Sequence, residues 1–214
     1  MRVYHFVNDS YGKQNLEKKR LKVARIMELN DPFEFLGMDL TDRVARYAIN
    51  KTKEDLNKGY GILCFSKNWK NPVQWAHYAD KHKGICLGFD IPDHLLNKVE
   101  YINERISYSG GEFTLKEIMI FFTSKFKHWE YENEYRCFSE LINKDGDLYF
   151  SKFSSTLILK EVIVGASSNL NITDIASLVD EEVEIFKVRP AFKTFQMVQN
   201  KTIKKIRGKI TVSE

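Results

Sequence analysis

The chain has 214 residues, 43% of them hydrophobic and 13% aromatic, enough to bury a sizeable core within one large domain. A net charge of +4 is too modest to mark a nucleic-acid binder by itself, and no window approaches the roughly 20 apolar residues of a membrane-spanning helix. Met1 to Phe6 run directly into Asn8-Asp9-Ser10 without a basic-then-apolar leader, so a cytoplasmic location is expected.

Cys64, Cys86 and Cys137 are odd in number, show no Cys-x-x-Cys spacing and sit in apolar contexts such as Ile62-Leu63-Cys64-Phe65. They read as reduced core residues. No glycine-rich phosphate loop, internal repeat or low-complexity linker is visible.

In chain order, Val3 to Val7 reads as a strand, Gly12 to Lys19 as a helical turn and Leu21 to Ile26 as a second strand. A helix is expected over Leu40 to Asn57, where Val44, Ala45, Ala48 and Ile49 repeat at helical spacing. Then come a strand at Gly61 to Ser66, a helix at Pro72 to His82 and a strand at Ile85 to Asp90. Gly84 is placed to stop the helix in a left-handed conformation. Pro92 to Val99 reads as a short helix, Tyr101 to Tyr108 as a strand and Leu115 to His128 as an amphipathic helix. The final third is mostly strand: Tyr135 to Leu141, Leu148 to Phe153, Leu157 to Val164, Val183 to Val188 and Phe192 to Val198, with one helix near Ile172 to Val179. Helices early and strands late give an α+β fold with mixed, mostly antiparallel sheets. The expected organisation is one domain over residues 1–200 followed by a basic tail, residues 201–214, that frays in solvent or touches phosphates or an acidic partner.

The first candidate site is Trp129-Glu130-Tyr131-Glu132-Asn133-Glu134-Tyr135-Arg136. If this segment is extended, Trp129, Tyr131 and Tyr135 share one side, with Glu130, Glu132, Glu134 and Arg136 on the other. One reading is a half-exposed strand with its charges in water. The other is chemical: neighbouring carboxylates raise each other's pKa while an arginine holds one ionised, which prepares a general base or an electrostatic stabiliser.

The second segment runs from Asn71 to Asp90. Asn71 and Pro72 suit an N-cap and first helical position. Trp75, Tyr78, Ala79 and His82 then share one helix face, and Gln74, His77 and Lys81 another. The two histidines lack the i, i+4 spacing of a zinc-peptidase motif, and no glutamate follows His77, so no metal is expected. Gly88 within an apolar strand marks a bulge or the close approach of a ligand. Two further candidates carry structural explanations of their own. Asn30-Asp31-Pro32-Phe33-Glu34 fits a helix start, with Asp31 capping and Glu34 closing a capping box. His5, alternating with Tyr4 and Phe6, fits a strand position.

Taken together, Leu29 to Phe35, Trp75 to Asp90, and Lys125 with Trp129, Tyr131, Glu132, Glu134 and Arg136 resemble a bacterial family of unknown function, DUF 2971, over nearly the whole chain. More loosely, His5, Ser66, Tyr78 and Glu132-Asn133-Glu134 occur in the order of functional residues in the ADP-ribosyltransferase-like fold, a split β-sandwich. That likeness implies an NAD-consuming mono-ADP-ribosyltransferase or NAD glycohydrolase, acting as a toxin or phage-defence effector. NAD would be a substrate, and the acceptor a protein or nucleic acid. It assigns catalysis to Glu134, Glu132 and His5, and cofactor contacts to Ser66, Trp75, His77, Tyr78, Arg136 and Asn30. A carboxylate suits such a reaction because positive charge develops on the ribose as nicotinamide departs. Two alternatives stay open: a metal-independent RNase using His77 or His5, with Lys125, Lys127, Arg136 and the tail on phosphates, and a non-catalytic binding or antitoxin module.

Overall fold

A computed structural model describes residues 1–107 and 114–209. In chain order the elements are β1 (Arg2–Val7), α1 (Asp9–Glu17), β2 (Arg20–Arg25), α2 (Arg43–Gly59), β3 (Tyr60–Ser66), α3 (Pro72–Tyr78), β4 (Ile85–Asp90), β5 (Asn97–Lys98), β6 (Glu100–Ile102), α4 (Leu115–Thr123), β7 (Ser124–Phe126), β8 (Glu134–Glu140), β9 (Lys144–Asp145), β10 (Leu148–Lys152), β11 (Ile158–Val164), α5 (Ile172–Ala176), β12 (Glu184–Pro190), β13 (Met197–Gln199) and β14 (Ile206–Arg207). The fold is α+β with mixed, mostly antiparallel strand pairing. No helix among the described residues is long and apolar enough to cross a membrane.

The residues divide into two interleaved units, one of Met1–Leu21, Phe65–Asp93 and Lys152–Glu214, the other of Lys22–Cys64 and His94–Ser151. In the first unit, β4 pairs antiparallel with β1 and with β11, β11 runs parallel to β12, and β12 carries β13 and β14 antiparallel. Ile85 to Phe89 are all buried, as a central strand covered on both faces must be. The core joins Trp75, Ala79, Cys86, Ile163, Phe186, Val188 and Met197. The bulge expected beside Gly88 lies on the facing strand, where the register shifts between Leu159 and Glu161.

In the second unit, β3 pairs with β2 through Ala24 and Ile62, β8 pairs with β3 and β5, and β6 runs parallel to β7. Ile26, Phe35, Met38, Leu40, Ile49, Ile62, Phe121 and Phe122 form its core. Asp42 caps α2 by accepting a bond from the Ala45 amide, and Thr114 with Glu117 builds a capping box on α4.

Several elements depart from expectation. The helix from Pro72 ends at Tyr78, and Asp80, Lys81 and His82 follow with φ of 43°, 53° and 70°. The turn holds because the His82 amide donates to Trp75 O at 3.1 Å and the Gly84 amide to Ala79 O at 2.8 Å. Gly84 is therefore not the left-handed residue. Its role is close approach, since a Cβ there would sit 2.2 Å from Val7 O. The expected long helix at Leu115 breaks after Thr123, where Ser124 turns extended to pair with Glu100. The expected strand at Tyr101 stops at Ile102; Tyr108 falls outside the described residues. Phe192 and Phe195 stand exposed before β13 rather than within a strand. The basic tail is folded as far as residue 209: β14 pairs with β12, Lys205 meets Glu184 at 2.7 Å, and Lys209 meets Asp180 at 3.3 Å. Residues 210–214 fall outside the described residues.

Candidate functional site

Five charged side chains of the second unit, Glu34, Lys125, Glu132, Glu134 and Arg136, form one buried ion network. Each arrives by a different local device. Glu34 sits in a turn rather than a helix: Asp31 accepts from the Phe33 amide at 2.9 Å, the Glu34 amide donates to Asp31 O at 3.0 Å, and Phe35 adopts φ 59°. The expected capping box is thus absent, and the Glu34 carboxylate is directed to cations instead. Lys125 is buried on β7, as is Ser124, while Phe126 at the end of the strand is exposed.

Residues Lys127 to Glu132 form a 3-10 turn, in place of the helix expected as far as His128 and the extended segment considered from Trp129, and Asn133 ends it in the left-handed conformation at φ 45°. Glu130 is accordingly turned outward to Lys127 at 2.6 Å, while Glu132 is buried beside Glu134. Only from Glu134 does period-two geometry operate, and it carries both Glu134 and Arg136 inward.

The bonding is dense. The Arg136 guanidinium donates from Nε to Glu134 Oε1 at 2.9 Å, from Nη2 to Glu134 Oε2 at 3.1 Å and Glu34 Oε2 at 2.7 Å, and from Nη1 to Phe122 O at 2.7 Å. The Lys125 ammonium reaches Glu132 Oε2 at 2.6 Å, Glu34 Oε1 at 3.1 Å and Glu134 Oε2 at 3.2 Å. The Glu134 amide donates to the Tyr101 hydroxyl at 2.8 Å. Arg136 lies over the Phe35 ring and Lys125 over Trp129, at 5.3 Å and 5.0 Å, so the cations also meet aromatic faces.

Burial opposes ionisation of Glu134, but Arg136 and then Lys125 outweigh it and hold the carboxyl at about 2. Burial likewise works against charge on Lys125 and Arg136, and the surrounding glutamates reverse it, raising both. Burial, reinforced by Glu134, pushes the Cys64 thiol well up. The network joins three carboxyl groups to two cations. A carboxyl fixed in this way does not deliver protons; its available chemistry is electrostatic.

The other sequence-selected residues lie elsewhere. Asn30 is exposed in the second unit. His5, on β1 of the first unit, meets Phe65 edge-on at 5.9 Å. Ser66 is buried in a local turn, donating to Asn68 O at 3.0 Å and accepting from its amide at 3.1 Å. Trp75 has no exposed surface, donates Nε1 to Trp69 O at 2.6 Å and packs edge-on against Phe6, so it is core and presents no ring to a ligand. His77 and Tyr78 border an open groove with Asn8, Tyr11 and Asp80. Lys125 and Arg136, assigned to phosphates in the RNase reading, are enclosed by carboxylates and offer no surface for that role.

Glu34 was missed as a site residue because its capping explanation looked complete. The signal that would have found it is Phe33-Glu34-Phe35: a carboxylate flanked by large apolar residues is poorly placed for solvent.

Residues 74–137 match a family model described as a protein of unknown function, DUF2971. Over that segment the chain is similar to this family. Lys125, Glu132, Glu134 and Arg136 lie within the match, whereas Glu34 and the Leu29–Phe35 block lie outside it, a narrower span than the resemblance implied. No curated protein and no solved structure matches the chain.

Proposed function

We propose that this protein is an NAD-consuming enzyme, a mono-ADP-ribosyltransferase or NAD glycohydrolase, in which Glu134 and its network stabilise positive charge. One observation carries this reading: a carboxylate kept ionised at about 2 within a buried cluster that holds more carboxyl groups than cations. Loss of nicotinamide from NAD leaves an oxocarbenium-like ribose, and a fixed negative field in a low-dielectric surrounding lowers the barrier to it. Glu134 acts in this reading through its field, with Glu132 adding to it and Arg136 fixing its orientation. An acceptor protein or nucleic acid, a split β-sandwich ancestry and a role as a toxin or phage-defence effector belong to the same proposal.

The test is release of nicotinamide from labelled NAD by the wild-type protein, followed by Glu134→Gln with near-UV circular dichroism as the folding control. His5→Ala and Tyr78→Phe read out the first unit's contribution in the same assay. Wild-type protein that neither binds nor cleaves NAD overturns the proposal.

A second reading, a non-catalytic binding module, is favoured by the saturation of the network. Glu34 and Glu134 have both carboxylate oxygens occupied, and the Lys125 ammonium meets three carboxylates, which is what a purely architectural charge cluster requires. Under it, Glu132→Gln changes stability or partner binding and no NAD turnover exists to lose.

A further inference from the structure

Beside the ion network, the second unit contains a cleft of about 250 Å³, whose lining includes Phe33, Ile102, Glu104, Arg105, Lys125 and Phe126, with Ser124. Three observations concern what it takes. Phe33 and Phe126 are 59% and 44% exposed in its wall, unusual for phenylalanine, and the Phe126 ring has His128 against it at 4.5 Å. The Arg105 guanidinium lies over the Phe33 ring at 5.6 Å and has no carboxylate in ion-pair contact among the described residues, although Asp39 lies within its field. Ser124 is 3% exposed, and its hydroxyl, packed against Gly37, has no hydrogen-bond partner among the described residues. A buried hydroxyl in a cavity wall is ordinarily satisfied by water or by a ligand.

We infer that this cleft binds a mononucleotide, with its base against Phe33 and Phe126 and its phosphate on Arg105. Aromatic side chains bind bases through their π faces with little sequence preference. A guanidinium presents a fixed fork that matches phosphate oxygens and stacks on aromatic rings at the same time. The volume sets the size of the ligand. Clefts for drug-sized molecules begin at roughly 300 Å³, so this one accommodates a base with its sugar, not a dinucleotide. Lys125 does not serve as the phosphate ligand, because its ammonium is already bound by three glutamates. The inference rests on this cleft alone and holds whether or not NAD is consumed.

The experiment is titration of the purified chain with AMP, adenosine and inorganic phosphate, followed by saturation-transfer NMR and calorimetry, for wild type, Arg105→Ala and Phe126→Ala. Both substituted side chains are exposed, so the variants are expected to fold. AMP should bind wild type about tenfold more tightly than adenosine, the worth of one charge-assisted contact. Arg105→Ala should remove that difference while leaving adenosine binding in place, and Phe126→Ala should weaken both. Failure of AMP to bind wild type at millimolar concentration overturns the inference, as does AMP binding that neither substitution changes. Binding of phosphate alone, equal to that of AMP, also overturns it by removing the base.

Discussion

Arg136 and Glu34 are 102 residues apart in the chain, yet Nη2 of one lies 2.7 Å from Oε2 of the other, with the guanidinium fully buried. The pair ties a turn before α2 to strand β8, and removing either charge leaves the other buried with a single opposite partner in the network, Lys125 for Glu34 or Glu134 for Arg136. Arg136→Lys retains the charge but loses the fork that reaches Glu34, Glu134 and Phe122 O together. We expect it to cost about 3 kcal/mol, the lower end for a broken buried ion pair, measured by urea denaturation. A loss below 1 kcal/mol would show that the network contributes little to folding.

Acid should weaken the fold over a defined interval. Glu134 is depressed from 4.5 to about 2, so its contribution is fully present above pH 4.5 and disappears as pH falls through 2. A shift of that size corresponds to about 3 kcal/mol. Glu134→Gln should flatten the stability curve between pH 4.5 and 2 by a comparable amount, at the expense of lower stability at pH 7. Unfolding curves from the two proteins that run parallel across that interval would contradict it.

The left-handed turn after α3 stores conformational energy in side chains that resist it. Lys81, at φ 53°, bears no polar group that offsets the crowding of its Cβ. Lys81→Gly should stabilise the chain by about 1 kcal/mol, after subtracting the greater freedom glycine adds to the unfolded state. Thermal melting checks the sign, and a lower melting temperature would mean that the side chain itself is engaged.

Gly37 is constrained by contact. A Cβ at this position would lie 2.0 Å from Ser124 Oγ and 3.0 Å from Ser124 Cβ. Gly37→Ala should cost about 1–3 kcal/mol, as overpacking does, and should displace the wall of the adjoining cleft. Pairing it with Ser124→Gly should recover most of that loss; independent, additive losses in the double variant would refute the contact.

Much of the fold was legible because its elements state themselves locally. β4 could be read from an unbroken apolar run, and α2 from helical spacing over Val44 to Ile49, although only Ala45 and Ile49 of that stripe are buried and Val44 is exposed. Asn71 and Pro72 marked the start of α3 for the same reason: capping is satisfied within a few residues. The network residues Glu132, Glu134 and Arg136 were also visible, as charges at close spacing among aromatics.

The sequence could not show which way those charges point. A strand through Trp129 to Arg136 would have grouped Glu130 with Glu132; a 3-10 turn and a left-handed Asn133 separate them, and that choice follows from where Lys125 and Arg136 require carboxylates. By itself the sequence determined the α+β class, the order of most elements and the segment holding the charged residues, because these rest on local periodicity and composition. Only the tertiary structure decided that Glu34 joins them and that the ensemble is buried. Ion pairing between distant segments is fixed by their shared burial, and no local pattern records which partner a buried charge will find.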